Sequence, residues 1–164
     1  MRIAIVSDTH MPRGPRALPG DCVAQLRDAD AIIHLGDFMR LEIVDQIEAY
    51  GPPLYGVYGN MDEPAIRHRF PASQTIELGG KRFGMLHDSG PSANRNQRLR
   101  LAFPDTDAVL FGHSHMPEHR SDGSGFQIFN PGSPTERRRA PAHTMGIATI
   151  EDDELTFELL VVGG

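Results

Sequence analysis

The sequence has one cysteine, Cys22, and no tryptophan among its 164 residues. A single cysteine excludes an internal disulfide and suits a reducing compartment, so we expect a cytoplasmic protein. No stretch approaches the roughly 20 consecutive apolar residues of a membrane-spanning helix. The apolar segment at 3–6 is too short for a secretory signal and ends close to Asp8. We therefore expect neither a leader peptide nor a membrane partner.

The sequence also lacks an excess of positive charge, because its formal net charge is −6. Nonspecific binding to a nucleic-acid backbone requires surplus lysine and arginine. We therefore expect nucleic acid as a partner only where it is a phosphodiester to be hydrolysed. Two bound divalent cations would add about four positive charges at one place, where the local field matters more than the total.

The balance of 39% apolar and 23% charged residues is ordinary for a folded protein. The length fits a single domain over residues 1–164, large enough to bury a core. In the first half, strands are predicted at 2–6, 31–35 and 54–58. They alternate with helices at 21–27 and 41–50, the first capped by Asp21. This order predicts parallel strands joined by crossover helices.

The second half is richer in strands. A hairpin is predicted at 74–78 and 81–86, followed by a helix at 92–101. Further strands are predicted at 108–111, 126–129, 144–150 and 155–161. The stretches 116–124 and 131–141 are the least regular. The fold class is therefore α/β in the broad sense (α+β), with two packed sheets flanked by helices. Exposed apolar sheet edges would allow a homo-oligomer.

Side chains that can bind metal follow the predicted strands at five separate places. They are Asp8, His10, Asp37, Asn60, His87, His113 and His115. The carboxyl ends of parallel strands converge on one crevice, so these residues can meet. The pairs Asp8/His10 and His113/His115 are two residues apart, which in extended chain places both side chains on one side. Glycine precedes three of these positions and allows a sharp turn with open space for a substrate.

This donor set exceeds what one tetrahedral zinc needs. Three or four oxygens and four imidazoles suit two ions that share a carboxylate. Mixed ligands of this kind fit Mn²⁺, Fe, Zn or Ni, with little discrimination among them. Each element alone has an ordinary explanation: Asp-x-His as a turn, Asn60 or Asp62 as a helix cap, His87 as a hydrogen-bonded strand end. Their joint occurrence after successive strands favours the metal site.

These motifs closely resemble the calcineurin-like metallophosphoesterases, in particular the small bacterial and archaeal phosphodiesterases. The resemblance rests on Asp8-Thr9-His10, Gly36-Asp37, Gly59-Asn60-Met61-Asp62, His87, Gly112-His113-Ser114-His115 and Asn130-Pro131-Gly132-Ser133. It implies a four-layered α/β/β/α sandwich of two mixed β-sheets flanked by helices. It also implies two divalent ions, with Mn²⁺ preferred, and a small phosphoester substrate.

The resemblance further implies the role of each ligand. Asp8, His10 and His115 would hold one ion, and Asn60, His87 and His113 the other, with Asp37 between them. A hydroxide bridging the ions would attack phosphorus in line. Asp37, Asn60 and His113 are the residues to which we assign catalysis.

Two positions depart from the family pattern. Met61 stands where many members have a histidine beside the leaving group, and methionine cannot transfer a proton. Because general acid assistance is worth about 10²–10⁴-fold, its loss favours esters with good leaving groups, hence diesters. Asp88-Ser89 replaces a glycine and a histidine, and Asp88 could either support a ligand imidazole or form a turn. Arg13, Arg16 and Arg137–Arg139 could contact substrate phosphates or lie on a solvated loop.

Two other functions remain open. One is a phosphomonoesterase or nucleotidase. The other is a protein-interaction scaffold without catalysis, as in a eukaryotic trafficking subunit of the same fold. Loss of ligands would indicate a scaffold, and every ligand position here is intact.

Overall fold

The structure, a computed structural model, describes residues 1–164 and contains ten strands and four helices. The strands are β1 (Arg2–Val6), β2 (Ala31–His34), β3 (Leu54–Gly56), β4 (Ser73–Leu78), β5 (Lys81–Leu86), β6 (Ala108–Leu110), β7 (Glu118–Ser121), β8 (Gln127–Asn130), β9 (Thr144–Glu151) and β10 (Glu154–Val161). The helices are α1 (Gly20–Arg27), α2 (Leu41–Glu48), α3 (Pro64–Arg69) and α4 (Arg95–Ala102).

The strands form two five-stranded mixed sheets. The first has the order β10-β9-β1-β2-β3, in which β1, β2 and β3 run parallel and the β9–β10 hairpin is antiparallel. The second has the order β4-β5-β6-β8-β7, in which β5, β6 and β8 run parallel between antiparallel edge strands. The predicted crossovers and the predicted hairpin are both confirmed.

Three apolar clusters separate four layers. One joins α1, α2 and α3 to the first sheet, one lies between the two sheets, and a smaller one joins α4 to the second sheet. The alternation of side chains along β1 shows how this works. Ile3 and Ile5 belong to the cluster between the sheets, whereas Ala4 and Val6 face the helices. Burying an isoleucine contributes about 1.5–3 kcal/mol, so β1 is held from both faces. The predicted sandwich is confirmed.

The structure corrects two details. Strand β7 lies within a segment predicted to be irregular. Its sequence is polar and it forms an edge that pairs only with β8, so tertiary pairing overrides its local pattern. Helix α1 begins at Gly20 with Pro19 as its N-cap, so Asp21 is not the cap. Its carboxylate instead accepts hydrogen bonds from the backbone N–H of Cys22 (2.8 Å) and of Gly163 (2.9 Å).

None of the four helices is both long enough and apolar enough to pass through a bilayer.

Candidate metal centre

The seven predicted ligands lie on the loops that follow β1, β2, β3, β5 and β6, and the fold brings them together. Five of them have positive φ, between 45° and 68°; these are Asp8, His10, Asp37, His113 and His115. A left-handed backbone costs a non-glycine residue about 1–2 kcal/mol. Contacts between loops hold these turns, because the N–H of Asp8 bonds the Gly36 carbonyl and the N–H of His10 bonds the Asp37 carbonyl, both at 2.9 Å.

The first cluster consists of Asp8, His10 and His115, which are all buried. The Nε2 atoms of the two histidines lie 3.1 Å apart, and Asp8 Oδ1 lies 3.3 Å from His115 Nε2 and 3.7 Å from His10 Nε2. Asp8 Oδ2 accepts hydrogen bonds from the Ser7 hydroxyl and the His113 N–H, but the buried Oδ1 has no hydrogen-bond partner. A buried charged oxygen without a partner is costly, so this cluster suits a cation.

The second cluster consists of Asn60, His87 and His113. Asn60 Oδ1 lies 3.2 Å from His87 Nε2 and 3.0 Å from His113 Nδ1, and the two ring nitrogens are 3.3 Å apart. His87 is buried, whereas Asn60 is exposed and the His113 side chain is 44% exposed. The second cluster is therefore the one that solvent reaches.

Asp37 lies between the two clusters. Its Oδ2 is 3.5 Å from His10 Nε2 and 3.4 Å from His87 Nε2. Its Oδ1 accepts a hydrogen bond from the Met61 N–H at 2.8 Å, which fixes the orientation of the carboxylate. The ligand atoms of Asp8, Asp37 and His87 all lie within 4.8 Å of one another, as do those of the first cluster. The clusters therefore adjoin and share carboxylates.

Backbone carbonyls set the orientation of two imidazoles. His87 Nδ1 donates to the carbonyl of Leu35 at 2.7 Å, and His115 Nδ1 donates to the carbonyl of Glu136. The Nε2 of each ring therefore faces the site. Such carbonyl bonds select the tautomer that metal-binding histidines use.

Charges within the site keep both carboxylates ionised. Burial would raise the pKa of Asp8, but His10, His87 and His115 outweigh it and lower the pKa. Burial would also raise the pKa of Asp37, but the hydrogen bond and the charge of His87 outweigh this effect and lower it. Burial would lower the pKa of His87, but its hydrogen bond to Asp37 and the charge of Asp8 raise it to about 9. This pKa favours a protonated His87 at neutral pH, and a cation held by this imidazole would take the place of that proton.

The glycines before the ligands serve close packing more than open space. A Cβ at Gly59 would overlap the Asp37 carboxylate, and one at Gly112 would overlap the Ser7 hydroxyl. Neither residue has a positive φ. The space that these glycines leave is filled by the ligand loops, so the predicted room for substrate is wrong at these two positions.

Asp62 has a role that the sequence did not reveal. The cap position of α3 is Glu63, so neither Asn60 nor Asp62 caps this helix. The buried Asp62 carboxylate accepts three backbone N–H bonds, from Gly59 (2.7 Å), Met39 (2.7 Å) and Asp37 (3.0 Å). It therefore fastens the loop after β2 to the loop after β3.

The end of β8 and the segment that follows it support the first cluster. Asn130 Nδ2 donates to the Gly112 carbonyl at 3.0 Å, and the Ser133 hydroxyl donates to the Asp8 carbonyl at 2.8 Å. The family resemblance marked this segment without giving it a function. The buried His34 is hydrogen-bonded to the Thr9 hydroxyl and to the Gly36 N–H, so it supports the loops of the site and does not reach the two clusters.

Glu136 is a second residue near the site whose position the sequence pattern does not indicate. Its carboxylate lies 3.7 Å from His10 Nε2, 3.4 Å from Arg16 and 3.8 Å from Arg13. The two arginines proposed for substrate phosphates thus lie next to this acidic group. Arg137 bonds the carbonyl of Ala140.

Asp88 and Met61 lie on the open side of the site. Asp88 Oδ1 accepts the Gly90 N–H at 2.8 Å, which is a turn contact, and its Oδ2 lies 3.9 Å from His113 Nε2. The Met61 side chain is 52% exposed. Core packing therefore does not account for this methionine.

We expect divalent metal to stabilise the fold, because the buried carboxylates of Asp8 and Asp37 gain a partner. A ligand present at 100 times its dissociation constant adds about 2.7 kcal/mol, or about 5–11 °C in Tm for a chain of this size. Thermal unfolding with Mn²⁺ and with EDTA measures this shift. An unchanged Tm at saturating Mn²⁺ would argue against an internal metal site.

Comparison with known proteins agrees with this geometry. The family profile described as "Calcineurin-like phosphoesterase superfamily domain" matches residues 1–153. A "Probable metallophosphoesterase" of Methanothermobacter thermautotrophicus is 30% identical over 168 aligned positions, which cover 99% of this chain and 94% of the relative.

Two solved structures share the fold. Vps29 of Entamoeba histolytica, complexed with Zn²⁺, has a TM-score of 0.81 at 22% identity, with 97% of this chain and 91% of that chain covered. A novel archaeal phosphodiesterase has a TM-score of 0.74 at 20% identity, with 98% and 100% covered.

Proposed function

The chain belongs to the calcineurin-like phosphoesterase superfamily, and from that premise we propose that it is a metal-dependent phosphodiesterase with a two-metal centre. The observation that carries the proposal is the position of Asp37. One oxygen of its carboxylate lies within 3.5 Å of a histidine of each cluster. A carboxylate in that position can bind two ions at once.

In this proposal the first cluster, Asp8, His10 and His115, holds one ion, and the second, Asn60, His87 and His113, holds the other. When bound, two such ions activate water as a nucleophile and offset the charge of the phosphate. The donors are oxygen and imidazole nitrogen, which fit Mn²⁺, Fe, Zn or Ni with little discrimination, and we choose Mn²⁺ on the family resemblance. Asn60 and His113 are the exposed ligands, so the substrate approaches from their side.

The preference for diesters rests on Met61. Its exposed side chain occupies the place next to Asn60 at which an acid could protonate the leaving group, and a thioether cannot do so. Activated aryl diesters tolerate this loss better than alkyl monoesters. The archaeal phosphodiesterase of the same fold is consistent with this choice.

Hydrolysis of bis-p-nitrophenyl phosphate tests the proposal. We expect turnover with Mn²⁺ and none after chelation, with slower turnover of p-nitrophenyl phosphate. A faster monoester reaction would instead indicate a phosphomonoesterase. If the folded protein did not hydrolyse the diester with Mn²⁺, Fe²⁺, Zn²⁺ or Ni²⁺ added, the proposal would be contradicted and a scaffold function favoured.

The substitution Met61→His should raise monoester turnover, by about 10-fold to 100-fold, because a histidine can supply the missing proton. The exposed side chain leaves room for the ring. Turnover of an alkyl phosphate checks this, since p-nitrophenolate leaves without a proton, and Met61→Gln is a control of similar size that cannot act as an acid. Equal rates in both variants would show that the absent acid does not limit the reaction.

A further inference from the structure

A cavity of about 440 Å³ opens directly beside the second cluster. This volume lies within the range of about 300–1,000 Å³ that is typical of small-molecule sites. The cavity is lined by the three residues of that cluster, Asn60, His87 and His113, together with Tyr58, Arg67, Leu86 and Asp88. A molecule with its phosphate at the cluster would therefore extend into this cavity.

One wall of the cavity is made by two flat groups that lie against each other. The guanidinium carbon of Arg67 is 5.2 Å from the centre of the Tyr58 ring. Arg67 Nε donates to the Asp62 carbonyl and its Nη2 donates to the Asn60 carbonyl, each at 2.9 Å. These bonds hold the guanidinium in one orientation, although the residue is exposed. Guanidinium and phenol faces are both surfaces on which aromatic rings stack.

The charges of the cavity favour a neutral occupant. Arg67 carries one positive charge and Asp88 one negative charge, and the Asp88 side chain is 57% exposed. Because these two charges offset each other, the cavity has no surplus positive charge to attract a second phosphate, while Tyr58 and Leu86 offer apolar surface. A polyphosphate chain is therefore a poor fit, and a flat uncharged group is a good one.

We propose that this cavity binds a planar aromatic ring attached to the substrate phosphate, and that Arg67 and Tyr58 determine this specificity. The proposal rests on the proposed function, because it assumes that the phosphate lies at the second cluster. It narrows the substrate class to phosphodiesters that carry an aryl or nucleoside group, in preference to purely alkyl or glyceryl ones.

Binding of two phosphonates to the Mn²⁺-loaded protein, measured by titration calorimetry, tests this without turnover. Phenylphosphonate carries the ring and methylphosphonate does not. We expect the wild type to bind phenylphosphonate about 5-fold to 10-fold more tightly, as stacking and cation–π contacts allow. In Arg67→Ala and in Tyr58→Leu the ratio of the two affinities should fall to within about 2-fold, and the ratio is the readout because loss of the Arg67 charge weakens both phosphonates alike.

Arg69→Ala is the matched control. Arg69 lies on the same short helix and stacks over Phe70, 5.9 Å from its ring centre, but it does not line the cavity. Its removal should leave both affinities unchanged. Arg67→Lys keeps the charge without the flat face and should lose the ring preference.

Equal binding of the two phosphonates by the wild type would overturn the cavity proposal alone. A ring preference that survives in Arg67→Ala, Tyr58→Leu or Arg67→Lys would also overturn it. If methylphosphonate itself does not bind the Mn²⁺-loaded protein, the proposed function fails, and the cavity proposal fails with it.

Discussion

Replacing Asp37 by asparagine is expected to lower kcat/KM for bis-p-nitrophenyl phosphate by about 10³-fold, equivalent to about 4 kcal/mol. The physical reason is that one carboxylate oxygen lies between both clusters, so the substitution weakens the binding of both ions at once. Asparagine is the better choice than alanine, because Asp37 has φ of 59° and asparagine tolerates that backbone. Its amide oxygen can also keep the hydrogen bond from Met61.

Two measurements should accompany the rate. Metal content after dialysis should fall from two ions per chain towards one or none, while the far-UV circular dichroism stays unchanged. Asp152→Asn is the matched control, since Asp152 also has a positive φ, of 49°, but lies in the β9–β10 turn. Full turnover with two ions retained in Asp37→Asn would show that Asp37 does not bridge them.

Replacing Asp62 by alanine is expected to destabilise the protein by about 3 kcal/mol, which corresponds to a Tm lower by about 6–12 °C. Three backbone N–H groups, two of them in buried bonds, would lose their acceptor, and the loops after β2 and β3 would lose their connection. Urea unfolding of the metal-free protein measures this directly. Because these loops carry Asp37 and Asn60, metal affinity should fall as well.

The control for this prediction is Asp45→Ala. Asp45 is an exposed aspartate on α2, so its loss should change stability by no more than about 0.5 kcal/mol. If Asp62→Ala were as stable as this control, then water would be replacing the carboxylate, and the connection between the loops would have no energetic importance.

The parts of the site that could be predicted are those that local sequence encodes. Asp8, Asp37 and His113 each follow an apolar strand, and the carboxyl ends of parallel strands meet at one edge of a sheet. Asp8 and Asp37 follow strands of the first sheet, whereas His113 follows β6 of the second sheet and reaches Asp8 because the two sheets pack together. Their convergence in the structure agrees with that expectation. Ligand roles for all seven residues remain part of the proposal, for which metal analysis of variants is the test.

The parts that could not be predicted depend on partners distant in sequence. Asp62 looks like a helix cap from its neighbours, but its three donors belong to two loops. Glu136 follows no strand, and only the folded chain shows it between Arg16 and His10. Strand β7 could not be predicted for the same reason, because its polar sequence forms a strand only by pairing with β8. In each case the deciding interaction is with a partner distant in sequence, and the local periodicity of the chain does not indicate it.

The left-handed turns at the strand ends have a consequence for how the protein takes up its ions. Bonds between the loops fix the turns at Asp8 and His10, so the chain itself holds the side chains proposed as ligands in one arrangement. Uptake should then be as fast as the ion can shed its water, without a slow rearrangement of the chain. A rigid arrangement of ligands also adapts poorly to ions of different radius. Ca²⁺ prefers six to eight oxygen ligands at distances of about 2.3–2.6 Å. We therefore expect Ca²⁺ to be rejected both for its size and for its ligand preference.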